Sequence, residues 1–166
     1  MRAVKHFNMK NLVTILTFLI SSTFAFGEGG LTRLIEIEGE VSQSSTNIEL
    51  HLTLINRSSR DLLIPSGGLP WNRYALTLVV AETSPSSPTL QQEPDIADYR
   101  GAGTKLKGKA SLKGMINLTY RFPELLTTLR RVDVIVFWSY QPAPEGQTQL
   151  ERVSGSILIP KLPTSK

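Results

Sequence analysis

The 166-residue chain contains no cysteine. That excludes a disulfide framework, a thiol nucleophile and a lipidated cysteine anchor. Histidine is nearly as scarce, with two residues, His6 and His51. The chain also lacks a G-x-S-x-G nucleophile turn, an H-E-x-x-H metal spacing, a glycine-rich phosphate loop, a dinucleotide fingerprint and a calcium-loop spacing, so the common signatures of hydrolases, zinc enzymes and nucleotide binders are missing together. Long hydrophobic runs are absent too. The stretch Leu12–Ile20 counts nine residues, well short of the roughly 20 that cross a bilayer as a helix.

That short run lies between Arg2, Lys5 and Lys10 on one side and Ser21-Ser22-Thr23-Phe24-Ala25 on the other. Basic, apolar, then small and polar is the order of a secretory signal peptide, which predicts a signal over residues 1–25 with cleavage after Ala25, or after Gly27 as the near alternative. The whole sequence has a formal charge of +4 and a pI near 9.5. Removal of 1–25 takes away three basic residues and no acidic one, leaving fifteen positive against fourteen negative charges. A nucleic-acid partner then lacks the cationic excess that releases counterions, and no segment spans a membrane after cleavage. The expected compartment is periplasmic or secreted.

Residues 26–166 read as one domain in which the dominant period is two. In Ile35–Val41 the apolar residues are odd-numbered and in Ile48–Leu54 even-numbered, the signature of strands with one dry face, joined here through the polar stretch Ser42–Asn47. Leu62–Ile64 is a short apolar stretch ending at Pro65, Tyr74–Ala81 is a third strand, and Glu82–Gly103 is a long surface connection. Met115–Phe122 alternates with Ile116, Leu118, Tyr120 and Phe122 on one face. Pro123 then opens a helix of about two turns, with Glu124 at its positive end, Arg130 and Arg131 at its negative end and Phe122, Leu126 and Leu129 as its buried stripe. Val132–Tyr140 is apolar on both faces, as in a central strand covered on its second side. A strand ending in Ile157-Leu158-Ile159 returns beside it.

This is the pattern of an all-β, antiparallel two-sheet sandwich with one short crossover helix. Through the Leu50–Asn56 strand, the Phe122–Leu126 crossover and the Val134–Tyr140 central strand, the chain resembles the immunoglobulin-like sandwiches of exported bacterial proteins. It departs from antibody-type domains in lacking both cysteines. The expected core is Ile37, Leu50, Leu52, Leu54, Leu78, Val80, Leu118, Val134, Val136 and Trp138.

Three constellations invite chemistry. A symmetric first hairpin would place Glu38 opposite His51 and Glu40 opposite Glu49, a carboxylate–imidazole group that could serve a small hydrolase or a metal-dependent enzyme; the simpler reading is a solvated sheet face. Lys105, Lys107, Lys109 and Lys113 form either an anion-binding strip or the lysine pattern that protects a sheet edge from pairing. The loop Gly67, Gly68, Leu69, Pro70, Trp71, Asn72 and Arg73, with 141–149 as a candidate neighbour, carries the residue types of binding hot spots, with Trp71 either projecting to a partner or folding under to close the end of the core. Asn56-Arg57-Ser58 and Asn117-Leu118-Thr119 match the glycosylation pattern. These readings point to a non-catalytic binding or interaction module without cofactor or metal, with a protein partner in the cell envelope. An enzyme centred on His51, Glu38 and Glu40, or a structural or assembly subunit, is the competing class.

Overall fold

Alternation of apolar and polar residues becomes eight strands in the computed structural model, which describes residues 33–84, 89–94 and 101–163. The segment 1–25 lies outside the described residues. Strands β1 (Ile35–Gln43), β2 (Ile48–Asn56) and β6 (Ser111–Asn117) form one antiparallel sheet in the order β1-β2-β6. Strands β4 (Leu76–Glu82), β7 (Val134–Tyr140) and β8 (Val153–Ile159) form the second, in the order β4-β7-β8. A two-stranded ladder of β3 (Leu62–Ile64) and β5 (Thr104–Leu106) completes an all-β, immunoglobulin-like sandwich.

The inward residues of both sheets make one core. Leu50, Leu52 and Leu54 from β2 meet Leu78 and Val80 from β4 and Val134, Val136 and Trp138 from β7, all buried. Ile37 is the exception in the expected core: it is half-buried and packs at its margin. Trp138 fills the side of the sandwich where β1 and β8 come together. A Cβ on Gly39 of β1 would stand 2.7 Å from its indole and one on Gly155 of β8 2.5 Å away, so only glycine leaves room for the ring at either position. The Gln43 side chain closes this side by donating to the Pro160 carbonyl at 2.8 Å.

The first hairpin is offset by two residues from the symmetric expectation. Ser44 Oγ accepts from Asn47 N at 2.9 Å and Ser44 N donates to Asn47 O at 2.9 Å. This local hydroxyl–backbone closure makes a tight turn and leaves Ser42 and Gln43 in the ladder. Glu40 therefore faces His51, Ser42 faces Glu49, and Glu38 faces Thr53.

The crossover also differs. Asn117 Oδ1 accepts the Tyr120 N–H at 2.8 Å, an N-cap that bends the chain into helix α1 (Leu118–Arg121) where the alternation predicts more strand. Helical spacing buries Leu118, Arg121 and Phe122 and turns Tyr120 out, 66% exposed. The second helix, α2 (Leu125–Leu129), is shorter than two turns and starts after Glu124; it buries Leu125, Thr128 and Leu129, while Leu126 is only half-buried. Strand β4 starts at Leu76 rather than Tyr74, and in the connection that follows it Leu90 N donates to Val80 O at 2.8 Å.

Candidate functional site

The loop between β3 and β4 is held at several points. Pro65 precedes a single 3-10 turn, Ser66–Gly68, closed by Gly68 N donating to Pro65 O at 2.8 Å. The Tyr140 hydroxyl donates to the Gly68 carbonyl at 2.7 Å, and burial pushes that phenol well above its ordinary pKa. Asn72 binds back twice, through its amide to Ser66 O and through its backbone N–H to Leu69 O at 2.8 Å. From the crossover, Arg121 donates to the Trp71 carbonyl at 3.1 Å.

Trp71 lies beneath this loop. A Cβ on Gly114 of β6 would stand 1.9 Å from its ring, so the indole seats directly on the glycine backbone and packs against the core. Gly39, Leu52 and Gly114 are register partners across the first sheet, and its two glycines receive the two tryptophans of the chain, Trp138 on one side of Leu52 and Trp71 on the other. Pro70 and Arg73 are buried, and Gly67, Gly68, Leu69, Trp71 and Asn72 are half-buried. The aromatic that stands out from the loop is Tyr74, 66% exposed. The alternation in the sequence predicts Tyr74 in a strand and Tyr120 on the face of Ile116 and Leu118; Tyr74 instead precedes β4 and Tyr120 lies in α1, both exposed. The 141–149 segment leaves from Tyr140, whose hydroxyl rests on Gly68, and Glu145 N donates to Leu63 O at 2.8 Å.

The His51 cluster is brought together on the outer face of the first sheet, with a membership altered by the register. Ser42 Oγ lies 3.1 Å from His51 Nε2, and Glu49 Oε2 lies 3.3 Å from the same nitrogen. A nucleophile relay needs the hydroxyl and the carboxylate on opposite ring nitrogens, so that one accepts a proton while the other is held by the acid. Here both crowd one nitrogen. Glu49 also accepts from Asn47 Nδ2 at 2.8 Å, and His51 is exposed. Among the described residues, no group of three or more His, Asp or Glu is placed to hold a metal ion.

The lysines separate into different settings. Lys105 is in β5 and pairs with Asp61 at 2.8 Å; that ion pair and the Gly108 N–H hold the Asp61 carboxyl below its ordinary range. Lys107 and Lys109 belong to the connection after β5, and Lys113 faces Thr53 on the first sheet. Both glycosylation patterns take part in the fold. Asn56 is fully buried and its Nδ2 donates to the carbonyls of Arg60, Leu106 and Lys107. Asn117 caps α1, and Thr119 Oγ1 accepts from Ile48 N at 2.8 Å.

No protein-family model matches the chain, and no curated protein matches it by sequence. Among solved structures, the crystal structure of the GAE domain of GGA2p from Saccharomyces cerevisiae is similar at a TM-score of 0.37 and 18% identity, over 81% of this chain and 96% of that one. At that level of superposition, the sandwich architecture rests on the strand pairing itself.

Proposed function

We propose that the chain is a non-catalytic binding module, exported by a bacterium to its periplasm or surroundings, that takes a protein partner of the cell envelope through the 67–73 loop. The observation that carries this reading is the loop's anchoring by hydrogen bonds. The loop is tied to β7 through Tyr140, to the crossover through Arg121 and to itself through Asn72, and it leads into the exposed Tyr74. Ordering entropy is thus largely spent on folding rather than on association, and tyrosine offers large contact area with few rotatable bonds. Export is supported by the order of residues 1–25. The shared Nε2 of His51 favours this reading over an enzyme.

The test is capture from a native envelope extract with the protein as bait, compared with Tyr74→Ala. The expected result is a protein retained by the wild type and lost, at least tenfold, by a variant of unchanged melting temperature. Equal capture by both, or no capture by the wild type, overturns the proposal.

A further inference from the structure

Sulfur, imidazole and carboxylate meet on the outer face of the first sheet. Glu40, His51 and Met115 are register partners in one row across β1, β2 and β6, and together with Glu38 and Lys113 they line an open hollow on that face. One step beyond the β2–β6 register, Asn56 N donates to Ala110 O at 2.9 Å. Bonded and unbonded pairs alternate along an antiparallel ladder, so His51 and Met115 form an unbonded pair, the closer kind, with Cα atoms about 4.5 Å apart. At that spacing a ring nitrogen and a thioether on the same face can reach one ion between them. Met115 is 47% exposed, which leaves its sulfur open to a ligand.

The bonds at one ring nitrogen of His51 decide the state of the other. Ser42 Oγ donates to Glu49 Oε2 at 3.4 Å and lies 3.1 Å from His51 Nε2, and the same carboxylate oxygen is 3.3 Å from that nitrogen. An ionised carboxylate only accepts, and the serine proton is directed at it, so the proton of the neutral imidazole belongs on Nε2. Nδ1 then carries the lone pair, and among the described residues no hydrogen bond occupies it. A carboxylate holding the far N–H of a histidine is the arrangement that fixes tautomer and ring orientation in metal ligands. Glu49 is itself held by Asn47 Nδ2 at 2.8 Å.

We propose that His51 Nδ1 and Met115 Sδ bind a soft monovalent cation, Cu(I), with the Glu40 carboxylate balancing its charge. Thioether sulfur selects Cu(I) over hard cations, and imidazole suits copper as well. Carboxylates and imidazole by themselves do not gather here into a site for a metal ion; the row adds sulfur to them. Lys113, beside the hollow, opposes each further charge on the ion and so favours a monovalent one over Zn(II) or Cu(II). The site lies on the sheet and does not rest on the 67–73 loop or its partner.

Competition of the purified protein with bicinchoninate for Cu(I) in the absence of air tests this, with Ag(I) as a redox-inert probe for NMR. The expected result is that Ag(I) shifts the Met115 methyl and His51 ring signals together and saturates them at one equivalent, while Zn(II) at the same concentration leaves both in place. Met115→Leu and His51→Ala each weaken Cu(I) binding about tenfold or more, and Glu49→Ala weakens it by a smaller factor through the lost ring orientation. The double variant His6→Ala with Met9→Leu, outside the row, binds as the wild type does. Should His51→Ala fail to fold by circular dichroism, His51→Gln replaces it. Undiminished binding by Met115→Leu, displacement of Ag(I) by equimolar Zn(II), or no joint shift of Met115 and His51 overturns the proposal. None of these outcomes depends on capture through Tyr74.

Discussion

The two outer faces of the sandwich are built on the same alternation and yet differ in kind. On the β1-β2-β6 sheet the outward rows read Glu36–Ile55–Ser111, Glu38–Thr53–Lys113, Glu40–His51–Met115 and Ser42–Glu49–Asn117. On the β4-β7-β8 sheet they read Thr77–Ser139–Ser154, Val79–Phe137–Ser156 and Ala81–Ile135–Leu158. The first is a solvated surface whose charges pair locally, as Arg57 does with Glu36 at 2.6 Å. The second carries no charged residue among these positions. A sheet face thus advertises its use through what its outward residues would cost to bury, and not through its inward pattern, which is alike in the two sheets.

The premise that both sheets share one core is broken most severely at Trp138. Trp138→Ala removes the ring that spans Gly39 and Gly155 and should cost about 3–5 kcal/mol, read as a lower midpoint in urea. Asn56→Ala should follow at about 2–3 kcal/mol, since the carbonyls of Arg60, Leu106 and Lys107 and the Ser58 N–H each lose a hydrogen bond at once. Gly114→Ala drives a methyl group into Trp71 and should cost about 1–3 kcal/mol. A red shift of tryptophan emission would report the displaced indole.

Exposed groups give the smaller effects. Asp61, its carboxyl held below the ordinary carboxylate range by Lys105 and the Gly108 N–H, adds stability that is present above the unfolded pKa and lost as pH falls through the lowered one. Acid titration of Asp61→Asn should show a deficit near neutrality that closes below that value. Smallest of all, His51→Ala on the charged face should change stability by less than about 0.5 kcal/mol and leave partner capture intact. A large loss there would erase the contrast between the faces and revive a catalytic role for His51.

Much of the sandwich was legible because parity is robust. Sliding β1 by two residues against β2 changes every cross-strand pair but leaves each side chain on the same face. The expected core therefore held apart from the marginal Ile37, although the expected partner of His51 did not. The errors lie where side chains capture the backbone: Ser44 closing the hairpin early, and Asn117 turning strand into helix so that Tyr120 faces out. The outward turn of Tyr74 is not legible in the sequence, because Tyr74 continues an apolar alternation there.

By itself, then, the sequence determined the class of fold, the inward residues of each long strand and the absence of thiol chemistry, since period, parity and composition are local properties of the chain. Only the tertiary structure decided the register of the first hairpin, the seat of Trp71 on Gly114, the single imidazole nitrogen shared by Ser42 and Glu49, and the exposure of the second sheet. Each of these depends on which distant backbone arrives beside a residue, and no spacing along the chain carries that distance.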